Sequence, residues 1–320
     1  MVRYTSVYLP EDMGRNQSKE RPPTPPPPTE KWGQDVTLVW TPEGEVNLRL
    51  AITEVTQRDG IVVILFGQTG FGKSSLANGI QTAMRGNRNV SNYFPVGIRT
   101  HGSYTKDLHR DDFCRQFCQE NCTCEPYFWL IDMPGVFNSD AITDDNIENI
   151  VTGTVPFYAE IKPTLEAMNS SSILPPQDRV KASCVVIVLK AGVQVADDVK
   201  RQINVLIKLH SRGVLSVHVI LTHPDQVEPL LKEADNIPYV FNSEEVRAAV
   251  EFASKEIGLP QTCISVVKNY TVEKFTNINA SILYLHALHN ILLAARDTSQ
   301  RDEKKDKMKL KMYARTPQSQ

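Results

Sequence analysis

Net charge is nearly absent: 35 Lys and Arg stand against 37 Asp and Glu, a formal −2 over 320 residues. That balance gives no whole-chain argument for nucleic acid or a membrane surface as partner. Long apolar runs are also missing. No stretch approaches the ~18 residues expected of a membrane span, and the N-terminus has no hydrophobic signal core. Met1-Val2 lacks the glycine that myristoylation needs, and Gln318-Ser319-Gln320 is not a prenylation box. These absences set cytoplasmic as the expected location. Cysteine is sparse, six in all, and such cysteines are expected as reduced thiols, not a disulfide framework. With 41% hydrophobic and 22% charged residues, the chain has ordinary globular composition, enough for one large α/β domain with flanking segments or for two small domains.

What is present centres on residues 60–76. Gly60 to Phe66 is an unbroken, β-branched apolar run, the pattern of a strand buried on both faces. Gly67-Gln68-Thr69-Gly70-Phe71-Gly72-Lys73-Ser74 then matches G-x-x-x-x-G-K-[ST], and Ser75 opens a helix. Strand, glycine loop and helix, in that order, form a phosphate-binding loop. Gly67, Gly70 and Gly72 let successive N–H groups turn toward phosphate oxygens. Lys73 reaches the β- and γ-phosphates, and the Ser74 hydroxyl is a natural Mg²⁺ ligand.

Residues 1–33 read as a disordered Pro-rich segment. Lys19, Pro22 and Pro25 fit the spacing of an SH3-type ligand, and a plain spacer is the other reading. Over residues 34–59, a Pro42-Glu-Gly44-Glu turn followed by alternating Leu48, Leu50 and Ile52 predicts a β-hairpin. A helix from Ser75 to about Arg85 is broken at Gly86. The polar segment from Val90 to Arg110 holds Thr100 and Thr105. Thr105 is the candidate to close over Mg²⁺ and the γ-phosphate, against an ordinary loop hydroxyl. Cys114, Cys118, Cys122 and Cys124 follow, the first two sharing a face if helical. Four thiols within eleven residues are able to hold zinc, but their spacing matches no common zinc pattern, which favours free or redox-sensitive thiols.

Tyr127 to Ile131 is a second buried-strand pattern, ending in Asp132-Met-Pro-Gly135. D-x-x-G at the tip of such a strand places the Asp132 carboxylate across Mg²⁺ from Ser74 and lets the Gly135 N–H sense a γ-phosphate. Further helices are expected over 142–152 and 158–168. Then strands at 182–189, 217–222 and 263–267 alternate with helices at 197–210, 244–257 and 277–296. This alternation predicts a doubly wound, mostly parallel α/β sheet over 60–296, preceded by the hairpin and followed by a charged tail over 297–320. The tail reads either as an electrostatic contact or as a solvated helix extension. The strand ending at Leu221 runs into Thr222-His223-Pro224-Asp225, a T-x-x-D at the sheet's carboxyl end, where ligands bind.

With three motifs in this order the chain resembles the P-loop GTPases, most like the interferon-induced protein 44 family. The likeness rests on Gly67 to Ser75, Ser103-Tyr-Thr105, Asp132 to Gly135 and Val267-Lys-Asn269-Tyr270. It implies GTP/GDP and Mg²⁺ as cofactors, with Ser74, Thr105 and Asp132 at the metal. Nucleotide contacts are implied from Gly67 through Ser75, with Gly135, Thr222, His223, Asp225 and Asn269. Asp225 would accept hydrogen bonds from guanine. His223 stands where the family pattern has lysine, as in the plant chloroplast outer-envelope import GTPases. Val136 stands where Ras-like enzymes place a water-orienting glutamine. Lys73, Gln68 and Thr105 are then the catalytic candidates, with slow turnover and groups supplied across a homodimer at the nucleotide face. The expected function is a GTP-binding switch or innate-immune-type effector. The alternatives are a nucleotide-stabilised interaction module without hydrolysis and an ATP-binding P-loop protein.

Overall fold

The computed structural model of the chain describes residues 32, 38–56, 60–97, 109–114, 126–135, 143–155, 174–175 and 179–315. Six strands form one sheet: β1 (Ile61–Phe66), β2 (His109–Cys114), β3 (Pro126–Asp132), β4 (Cys184–Lys190), β5 (Ser216–Thr222) and β6 (Ile264–Val266), in the order β2-β3-β1-β4-β5-β6. All neighbours are parallel except β2, which runs antiparallel along β3. Every residue of β1 and β5 is buried, as expected where helices cover both faces of a parallel sheet. The register Leu65↔Asp132 and Lys190↔Thr222 brings the carboxyl ends of β3, β1, β4 and β5 to one edge.

Helices α1 (Pro42–Val55), α2 (Lys73–Arg85) and α6 (Ile278–Arg315) pack on one another, while α3 (Asp144–Val151), α4 (Asp197–Ser211) and α5 (Glu244–Ile257) form a second set. The doubly wound sheet is therefore observed as expected. The hairpin over 34–59 is not: its core, Pro42 to Val55, is helix α1. Thr41 Oγ1 accepts from Gly44 N at 3.3 Å, Pro42 takes the first turn, where its missing N–H is harmless, and Glu43 and Glu45 face the positive helix end. Leu48, Ile52 and Val55 recur at i, i+4, i+7 and turn inward, whereas Leu50, on the supposed strand face, is 57% exposed. Gly44 marks a close approach, since a Cβ there would meet the Val39 carbonyl oxygen at 1.9 Å.

Strand β2 was not foreseen. Its sequence His-Arg-Asp-Asp-Phe-Cys lacks apolar alternation because an aspartate, Asp111, takes an inward position beside Phe113. Cys114 lies at the end of this strand, not on a helix. Cys118, Cys122 and Cys124 lie outside the described residues, as do the Pro-rich segment, Thr105, Val136 and the helix expected over 158–168. Helix α6 continues past Arg296 to Arg315, so most of the expected tail is helical backbone. No glycine or proline falls within it, and Pro317 follows two residues on. Contrary to expectation, its portion Ile278–Arg301 meets the length and composition of a membrane span, with mean hydropathy 1.3. That stretch is 61% buried, and α6 packs on β1, β4, β5, α1 and α2. Its apolar face is accounted for by the core.

Candidate nucleotide site

The loop after β1 has the backbone its glycines permit. Gly70 and Gly72 sit at φ 81° and 85°, in the left-handed region. Lys73 is buried and folds back over the loop, donating to the carbonyls of Gly67 at 2.9 Å and Gln68 at 3.2 Å. Burial lowers its pKa to about 8, with the Asp132 carboxylate pulling the other way. Ser74 Oγ donates to Asp132 Oδ2 at 2.5 Å. A hydroxyl and a carboxylate in contact are a suitable oxygen pair for Mg²⁺, one direct ligand and one across a water. Bound there, the ion would neutralise phosphate charge. The buried Thr69 Oγ1 finds no hydrogen-bond partner among the described residues. A Cβ on Gly135 would lie 2.2 Å from that same oxygen, so the D-x-x-G glycine packs directly on the loop.

Two residues expected at the nucleotide hydrogen-bond to carbonyls of the loop. The buried Thr222 hydroxyl lies 2.7 Å from the Phe71 carbonyl and 3.0 Å from that of Leu189. Asn269 Nδ2 donates to the Gly72 carbonyl at 3.0 Å. In a trans peptide the C=O and the following N–H point opposite ways. Holding these two carbonyls therefore aims the N–H groups of Gly72 and Lys73 away from Thr222 and Asn269. Both side chains are committed to shaping the loop. A Cβ on Gly72 would fall 2.4 Å from Asn269 Nδ2, so only glycine fits against that amide.

His223 is the one non-glycine with positive φ, 56°, among the described residues. Its Nδ1 lies 2.9 Å from Thr222 Oγ1. Thr222 has one proton, and a carbonyl takes it, so Oγ1 accepts and the ring proton sits on Nδ1. Nε2 is left as an acceptor. Burial, then the charge of Lys190, hold the His223 pKa below its ordinary value, against the pull of Asp225. The ring is thus neutral. Asp225 is half-buried in the short turn Pro224–Gln226 and makes no hydrogen bond with a described residue.

Beside the loop a cavity of about 480 Å³ opens between α2, residues 89–96 and residues 270–275. Ser75 and Asn78 form its floor. Asn78 clasps the backbone of the buried Phe94, with Phe94 N on Oδ1 and Nδ2 on Phe94 O, both at 2.8 Å. Val90 N donates to Lys274 O at 3.1 Å and Thr276 N to Arg88 O at 3.0 Å, zipping the two walls together. Sequence reasoning missed Asn78. The only available signal was a polar residue on an otherwise buried helix face.

The phosphate loop, the Ser74–Asp132 pair and the strand order define a P-loop nucleotide-binding protein with the GTPase-like arrangement. No family model matches the chain. It is similar to human interferon-induced protein 44, with 28% identity over 248 residues, 74% of this chain and 52% of that protein. The Mus musculus protein of that name is 24% identical over 245 residues, 73% of this chain and 54% of the relative. The chain thus spans about half the length of the curated relatives it matches. Among solved structures, Arabidopsis thaliana Toc33 in complex with GDP and Mg²⁺ aligns with a TM-score of 0.41 and 16% identity, over 82% of this chain and 94% of that one. A dimerization-deficient mutant of Toc33 aligns with a TM-score of 0.42 and 13% identity, over 78% and 92%.

Proposed function

We propose that this chain binds GTP and GDP with Mg²⁺, hydrolyses GTP slowly to GDP and phosphate, and works in the cytoplasm as a switch or an innate-immune-type effector. The observation that carries this reading is the loop itself, with the carbonyls of Phe71 and Gly72 tied down from behind and Lys73, Ser74 and Asp132 gathered at its mouth. Asp225, free of protein hydrogen bonds among the described residues, supports guanine, whose N1–H and 2-amino group are donors that adenine does not offer there. Val136 supports slow turnover, because an aliphatic side chain does not orient water. Gln68, Thr105 or a second copy of the chain at the nucleotide face then supplies that group. The immune setting is supported by the interferon-induced relatives.

Mass spectrometry of nucleotide released from purified protein should find GDP. Single-turnover hydrolysis should be slow and should rise with protein concentration. Absence of guanine nucleotide, with no binding of added GTP, contradicts the reading. Binding without phosphate release at any concentration favours the second reading, a nucleotide-stabilised interaction module, to which Val136 and the neutral His223 point.

A further inference from the structure

Tyr284 belongs to no motif, and its place in α6 looks like one more core aromatic. It is fully buried, yet its hydroxyl is not idle. It accepts from the Tyr270 N–H at 3.2 Å and donates to Asn269 Oδ1 at 3.2 Å. One proton and one lone pair serve both bonds. Asn269 has two chemically distinct ends. The Gly72 carbonyl only accepts, so it requires Nδ2. The Tyr284 hydroxyl, already accepting from Tyr270, supplies the donor that Oδ1 requires. The amide orientation is thus fixed from both sides. Gly79 of α2 makes room for this arrangement, since a Cβ there would come within 2.1 Å of the Tyr284 ring. Burial raises the phenol pKa well above its ordinary value, so the hydroxyl keeps its proton.

We infer that Tyr284 is a positioning residue for nucleotide binding. Through Asn269 it holds the Gly72–Lys73 peptide with its carbonyl backward and its N–H toward the phosphates. This rests on the nucleotide reading above. Without the hydroxyl, Asn269 is able to flip, which would set Oδ1 against the Gly72 carbonyl, and the Tyr270 N–H loses its acceptor.

The test is the affinity of the full chain for fluorescently labelled GDP with Mg²⁺. It compares wild type, Tyr284→Phe, Asn269→Ala, the double variant and Lys73→Ala. Each of the first two substitutions should weaken binding roughly tenfold, the effect of an unsatisfied buried partner. The double variant should be within about threefold of the weaker-binding single variant, because both act through one chain of bonds. A merely structural tyrosine would lower the melting temperature of the nucleotide-free protein and leave affinity unchanged, and that result overturns the inference. So do additive effects in the double variant. If Tyr284→Phe does not fold, Asn269→Ala decides: unchanged affinity overturns the inference, and tenfold weaker binding sustains it. Wild type that binds no nucleotide overturns both this and the nucleotide reading. Lost binding in Lys73→Ala alone, with Tyr284→Phe and Asn269→Ala as wild type, overturns only the role of Tyr284.

Discussion

The two ends of α2 are secured by different means. At its start, Thr222 and Asn269 hold carbonyls of the loop from behind, Tyr284 holds Asn269 in turn, and the N–H groups of the loop are turned the other way. At its end, Arg49 of α1 donates to the Ala83 carbonyl at 2.8 Å, and Gly86 stops the helix at φ 62°. There the buried Asp111 of β2 takes Gln81 Nε2 at 2.6 Å and Arg85 at 3.2 Å. Burial raises the Asp111 pKa, and these two partners oppose the shift. The far end needs only satisfied polar groups and a stop. The near end must be rigid and still leave donors for a ligand. That demand explains why the Thr222 hydroxyl and the Asn269 amide both bind loop carbonyls.

If the ends differ in this way, damage at the first should weaken binding and damage at the second should weaken stability. Lys73→Ala should lower nucleotide affinity on the order of 10²-fold, since hydrogen bonds to a charged group are the strong ones. Calorimetric titration of the folded variant reads this. Thr222→Val keeps the shape but removes the donor to Phe71 and Leu189, and should weaken binding roughly tenfold. It should also destabilise the nucleotide-free protein by about 1–3 kcal/mol in urea unfolding.

Affinity should also follow the Lys73 ammonium. Its pKa is about 8 in the free protein, and phosphate anions beside it would raise that value, so binding takes up a proton above pH 8. Affinity should be flat below pH 8 and fall by up to about tenfold per unit above it. A flat profile from pH 7 to 9 would remove Lys73 from the phosphate contact. The smallest effect on binding belongs to the far end. Arg49→Ala should leave affinity within about twofold and lower stability by about 1 kcal/mol. A larger loss of affinity than of stability would erase the distinction between the ends.

The same contrast explains what was legible. Gly67 to Ser74, Asp132 to Gly135 and Thr222 to Asp225 were legible as motifs because each fixes its residue types within a few consecutive positions. The strands around them are apolar throughout, as burial on both faces requires. Helix α1 was misread because Leu48, Leu50 and Ile52 mimic strand alternation, while the turn-like Pro42 and Gly44 serve a helix start and a close approach to Val39. β2 was hidden by an inward aspartate whose partners, Gln81 and Arg85, are far away in sequence. Thr222 and Asn269 were recognised as site residues, but their bonds to the loop backbone were not foreseen. Their hydrogen bonds to Phe71 and Gly72 span 151 and 197 residues, beyond the reach of a local pattern. Tyr284 was invisible because a hydroxyl adds nothing to the apolar periodicity of α6.

Guanine recognition by Asp225 is the part of the proposed function with the sharpest chemical signature. Competition of GTP, ATP and xanthosine triphosphate for the site, in wild type and Asp225→Asn, tests it most directly. Xanthine carries an oxygen where guanine carries its 2-amino group, so an amide at position 225 exchanges the partners. Wild type should prefer GTP over ATP, and Asp225→Asn should shift preference from GTP to xanthosine triphosphate by roughly 10²-fold. Equal binding of GTP and ATP by wild type, or an unchanged guanine preference in Asp225→Asn, would contradict it.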